Sequence, residues 1–130
     1  MMHQTRQHLK DAALETGLFA QVLDALPREI EGTTLAIGDQ DAELEPLDAA
    51  LSFYRARITT TAYVLAYSRD LTREAVEQAT IELMRRLHAR PSDYTLEYRF
   101  DRWRVFPVTM GRDHVWVSEL VVVRETHLEL

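Results

Sequence analysis

The chain has 130 residues, of which 46% are hydrophobic and 28% charged, with a formal net charge of −6 at pH 7. That length holds one core-forming domain, expected to span 1–130, and the composition is globular rather than disordered or fibrous. An acidic balance argues against a general nucleic-acid binder, since phosphate neutralisation supplies most non-specific affinity. The absence of cysteine excludes disulfides, thiol chemistry and cysteine-held zinc.

No apolar run approaches the roughly 18 residues of a membrane span, so no membrane partner is expected. The polar start, MMHQTRQHLKD, carries no signal-peptide pattern, and a cytoplasmic location is expected.

The spacing predicts a helix over 3–16, with Met2, Leu9, Ala12, Ala13 and Thr16 near one face. Gly17 suits the left-handed position beyond its end, with Leu18 folding back on the last turn. Residues 19–26 read as a short strand stopped by Pro27, and TTLAIG at 33–38 as another. The segment 39–51, DQDAELEPLDAAL, carries five carboxylates and no base; it reads as a long exposed acidic loop with one helical turn after Pro46.

Residues 52–68 form the clearest strand. Tyr54, Ala56, Ile58, Thr60, Ala62, Val64 and Ala66 alternate with Arg55, Arg57, Thr59, Thr61, Tyr63 and Tyr67. The main helix is expected over about 72–89, capped by Thr72, with Leu71 stapled to Val76. Its apolar stripe is Val76, Thr80, Leu83, Met84 and Leu87, and Ile81 lies off that stripe as a candidate second contact. Pro91 follows as a stop. A β-hairpin over about 94–128 completes the chain, turning at Gly111. The fold class is α+β: a mainly antiparallel, twisted sheet with the N-terminal helix and the main helix packed on one side.

No motif carries chemistry. His3, His8, His88, His114 and His127 show no ligand-pair spacing, so no metal is expected. Asp39, Asp41 and Glu43 mimic the start of a calcium loop, but Leu44 and Ala50 stand where its glycine and closing glutamate belong. There is no nucleophile elbow and no glycine-rich phosphate loop. No catalytic residue, cofactor or enzymatic activity is expected.

The stretch YRFDRWRVF at 98–106 holds three arginines and four aromatics. Its apolar phase is even through Tyr94, Leu96, Tyr98 and Phe100, then odd through Trp103, Val105 and Pro107. The flip at Asp101–Arg102 predicts a bulge or kink, leaving Arg99, Arg102 and Arg104 on or near an exposed side. Arginine and aromatic residues anchor interfaces. Residues 39–48 hold five acids, whereas 99–112 hold four arginines and one aspartate. An interface is therefore expected to use Asp39, Asp41, Glu43 and Glu45 on one side and Arg99, Arg102, Trp103 and Arg104 on the other. If these patches lie at opposite edges, copies can join head to tail and close as a ring.

The layout resembles the tail terminators (minor tail protein U-like) and small tail-completion proteins of long-tailed phages. The resemblance is carried by HLKDAALETGLF, by YRARITTTAYVLAYSRDLTREAVEQATIELMRRL, and by the closing HVWVSELVVVRETHLEL. It implies a structural virion-assembly protein that caps the tail tube as a homo-oligomeric ring, a hexamer in that family. It also implies tail tube protein and head–tail connector proteins as partners, in host cytoplasm during assembly and then in the virion tail. Two readings of other classes stand beside it. One is a small α+β ligand-binding domain or enzyme with a sheet-lined cleft; the other is a nucleic-acid accessory protein using Arg99, Arg102 and Arg104.

Overall fold

A computed structural model describes residues 2–89 and 98–130. In chain order the elements are α1 (Met2–Thr16), β1 (Gln21–Leu23), β2 (Thr34–Pro46), β3 (Phe53–Tyr67), α2 (Arg73–His88), β4 (Arg99–Met110) and β5 (Asp113–Glu129). The five strands form one sheet in the order β1-β2-β3-β5-β4. Only β1 runs parallel to its neighbour; the other pairings are antiparallel. The fold is α+β, as the periodicities predict.

The alternation of β3 sets the two faces of the sheet. Its even positions from Ala56 to Ala66 are buried, and Ala62, Val64 and Ala66 share one core with the helices. There Leu9, Ala12 and Ala13 of α1 and Val76, Leu83 and Leu87 of α2 pack on Leu35, Ile37, Val64, Leu120 and Val122. The odd positions face away from the helices. At one end they too are covered, in a second apolar cluster of Ile30, Ala36, Leu65, Tyr67, Val115 and Val117. The Tyr67 hydroxyl donates to the Ile30 carbonyl at 2.7 Å and accepts from the Ile30 amide at 3.3 Å, tying the loop before β2 to this face.

Local chemistry explains the helix ends. The Thr72 hydroxyl accepts from the Ala75 amide, and Leu71 packs against the core beneath it. Gly17 adopts φ +67°, ending α1 as expected. Leu18 does not fold back: it is 48% exposed, and its amide is held by the Thr16 hydroxyl instead. The short strand expected over 19–26 is reduced to three residues.

The segment 39–51 is not a loop. Strand β2 continues to Pro46, and only the connection to β3 is irregular. The acids at 41, 43 and 45 alternate with Ala42 and Leu44, which is strand periodicity rather than a solvated run. Cross-strand neighbours offset their charge: Glu43 stands opposite Arg57 and Glu45 opposite Arg55, the latter pair 3.6 Å apart. Asp48 closes the connection by accepting from the Ser52 amide and hydroxyl, with Leu51 at φ +56°. Those hydrogen bonds, the Ser52 hydroxyl foremost, hold the Asp48 carboxyl below its ordinary range.

The C-terminal hairpin is present, with its turn confined to Gly111 and Arg112 and Gly111 at φ +61°. The expected strand positions 94–97 lie outside the described residues. The register of β4 on β5 shifts between Phe100 and Arg102, where the phase flip places it. Among the described residues, no helix is long and apolar enough to cross a membrane.

Leu83, fully buried between α2 and the sheet, tests how this core is held. Leu83→Ala is expected to cost about 2–5 kcal/mol of unfolding free energy, read from urea denaturation, with the fold retained.

Candidate functional site

The two sets of charged residues occupy opposite margins of the same sheet. Registers against β3 and β5 decide the faces. Asp41, Glu43 and Glu45 oppose odd residues of β3, so they project from the helix-free face. Arg99, Arg102 and Arg104 oppose Val123, Val121 and Glu119, which lie on that same face. Trp103, opposite Leu120, lies on the helix side, and Asp39 sits in the irregularity between Ile37 and Gln40. The structure thus gathers each set and holds the two sets apart by the width of β3 and β5.

The arginine margin is partly neutralised within the chain. The Arg99 Nε donates to Asp101 at 2.7 Å, and Arg57 reaches the same carboxylate from β3 at 2.8 Å. The Arg104 Nε donates to Glu119 at 2.8 Å, while its guanidinium lies over the Phe106 ring. Arg102 makes no hydrogen bond or ion pair to any described residue and is exposed. Trp103 is anchored: its indole N–H donates to the Ser118 hydroxyl at 2.7 Å, which also pairs with Thr80 of α2 at 2.7 Å. One edge of its ring is fixed to the core, while 38% of the residue stays exposed.

Among the described residues, both margins also present unpaired backbone. The Leu47 amide donates to the Phe53 carbonyl, continuing the β2–β3 register. Positions 45, 43 and 41 therefore bond inward to β3, and Gln40, Ala42, Leu44 and Pro46 direct their backbone polar groups outward. The Ser68 amide donates to the His114 carbonyl, so even residues of β5 bond to β3 and odd ones to β4. Val108, Phe106, Arg104 and Arg102 accordingly bond inward, while Trp103, Val105 and Pro107 face outward. Both prolines fall where no bond within their own sheet is lost. Strand β1 pairs only Thr34 to Ala36 of β2. Beyond it Arg6 occupies the Ile37 and Gly38 carbonyls, and the outer edge from Gln40 onward is unpaired among the described residues.

Sequence reading found the charged positions but missed what holds them. Asp101 serves two arginines from different strands, and Glu119 fixes Arg104; both depend on strand order. Ala42 and Leu44, in the segment whose acidity predicts a loop, are outward edge residues, and the alternation around them is the local signal of a strand.

Two surface depressions border the acidic margin. One, of about 290 Å³, lies beside Arg6, Asp24, Gly38 and Tyr63; the other, of about 230 Å³, lies between Glu43, Glu45, Arg55 and Arg57. Ligand pockets typically enclose about 300–1,000 Å³, so neither forms a ligand-sized cleft. Among the described residues, no three His, Asp or Glu side chains converge to hold a metal ion.

No protein-family model and no curated protein matches the chain in sequence. Solved structures do match in fold. A chain in the virion of a native gene transfer agent particle superposes with a TM-score of 0.63 at 19% identity, over 92% of this chain and 90% of that one. The bacteriophage SPP1 gp17 protein superposes with a TM-score of 0.50 at 19% identity, over 95% and 91% respectively. The chain thus shares its fold with a gene transfer agent virion component and a bacteriophage protein.

The Asp101 carboxyl is held below the ordinary aspartate value by the Arg99 hydrogen bond first, against an opposing desolvation, with Arg57 adding to it. Its stabilising contribution is present above about pH 4, the unfolded value, and is lost as pH falls through the lowered folded value. An NMR titration of the Asp101 side chain should show a midpoint below that of an ordinary aspartate. In Arg99→Ala/Arg57→Ala the midpoint should return upward.

Proposed function

We propose that this chain is a structural component of a phage-type virion, acting as a tail terminator or tail-completion protein. It caps the end of the tail tube as a homo-oligomeric ring and presents a surface to the head connector. The observation that carries this reading is the fold shared, over nine-tenths of both chains, with a component of a gene transfer agent virion. The likeness to a bacteriophage protein, SPP1 gp17, points the same way.

The geometry suits that role. A ring subunit needs two unlike surfaces for its two neighbours, because a rotation axis brings different patches together at every contact. The sheet supplies them as an acidic free edge and an arginine-bearing free edge on opposite sides. It also leaves the far end of the β2–β3–β5 arm apolar. Leu47, Leu51, Phe53 and Leu130 are 44%, 55%, 44% and 78% exposed there, a surface suited to a further contact with tube or connector. The work of such a protein is done by assembly, in host cytoplasm and then in the virion tail, and asks for no catalytic group.

Light scattering and native mass measurement across a concentration range, with and without the tail tube protein, test the reading. A single discrete ring species should appear, at high concentration or on addition of tube protein. A chain that stays monomeric even with its tube protein sinks it.

A further inference from the structure

The two free edges match one another in direction, face, register and charge. We infer that successive copies of this chain join by antiparallel pairing of the β2 edge of one copy with the β4 edge of the next, Ala42 opposite Trp103 and Gln40 opposite Val105. The inference rests on the ring reading and specifies its subunit contact.

Direction comes first. Antiparallel pairing through β2-β3-β5-β4 leaves β4 running opposite to β2 in the same chain. A neighbour related by rotation, with its sheet facing the same way, therefore brings its β2 antiparallel to this β4. No flip of the sheet is needed. The acids and the arginines already share the helix-free face, so they remain on one side of the continued sheet.

Register follows from the backbone. Hydrogen-bonded pairs must form between outward residues: Gln40 and Ala42 on one strand, Trp103 and Val105 on the other. The inferred alignment places Asp41 opposite Arg104 and Glu43 opposite Arg102. The bulge at Asp101 absorbs one residue, which brings Glu45 opposite Arg99. Sliding the neighbour by two residues one way sets Gln40 against Pro107, which has no N–H, and Asp41 against Phe106. Sliding it the other way leaves Glu45 without an arginine. Only the inferred register forms all three charge pairs, with no two like charges directly opposite.

The pairing also ends where the chain prevents it from continuing. Beyond Gln40 the edge of β2 is taken by Arg6 and β1, and beyond Val105 the other edge meets Pro107. At the far end Pro46 closes β2. On the helix side, exposed Trp103 would lie beside Ala42 and diagonal to Leu44, itself 53% exposed, so apolar area is buried opposite the charges.

Glu43 and Arg102 would form a non-hydrogen-bonded pair, with Cα atoms about 4.5 Å apart, a separation that disulfides accept. The native chain has no cysteine, so an engineered pair reports unambiguously. Under oxidation, Glu43→Cys/Arg102→Cys should give a reducible ladder of dimer, trimer and higher species up to the closed ring, while each single variant stays uncrosslinked. Independently, Glu43→Arg and Arg102→Glu should each raise the concentration needed for assembly about tenfold, and the two together should restore it. A wild-type ring in which the double cysteine variant does not crosslink and the charge reversals change nothing overturns the edge pairing and leaves the ring intact. If the wild-type chain forms no ring even with tube protein, both readings fall.

Discussion

Strands β3 and β5 pair without interruption from Phe53 opposite Glu129 to Tyr67 opposite Val115, and this ladder is the constraint on which the molecule depends. It is longer than either helix needs for support. One half of it receives α1 and α2 on one face and the apolar cluster around Tyr67 on the other. The other half projects as an arm flanked by β2. Because the ladder is continuous, the parity of every side chain on β2 and β4 is fixed from the centre outward, and with it the face each charge occupies.

Irregularities in the flanking strands are what adapt this rigid centre. The shift between Ile37 and Gln40 lets β2 leave the covered region, where a side chain at Gly38 would meet the Tyr63 ring at 2.8 Å, and enter the exposed arm. The shift at Asp101 leaves one residue of β4 unpaired, and its exposed carboxylate gathers Arg57 and Arg99. Bulges commonly re-aim side chains at sheet edges. Here the acids of β2 lie beyond its shift, and the arginines of β4 flank its shift at positions 99, 102 and 104.

Free edges are ordinarily a liability, because unpaired backbone invites aggregation. Charge and proline blunt them in this chain, but not uniformly. Acids stand on one edge and arginines on the other, so identical edges repel and unlike edges attract. In the proposed ring, that arrangement would favour head-to-tail contact over symmetric dimers. The ion pairs already present, Arg104 with Glu119 and Arg99 with Asp101, hold the guanidinium groups extended on the face where a neighbour's carboxylates would arrive.

Much of this was legible in the residues. The alternation of 52–68, the capped helix from Thr72 and the phase flip at Asp101–Arg102 all report local periodicity, which a sequence carries directly. The segment 39–46 misleads because its four acids mask a short alternation, and because its neutralising partners, Arg55 and Arg57, lie on another strand. Both helices, strand β3, the C-terminal hairpin and the fold class follow from side-chain chemistry and spacing along the chain. Strand order, the common face of the two charged sets and the outward direction of their backbone groups were decided only in the tertiary structure. Pairing partners far apart in the chain set those features, and no local pattern encodes which strand will lie beside which.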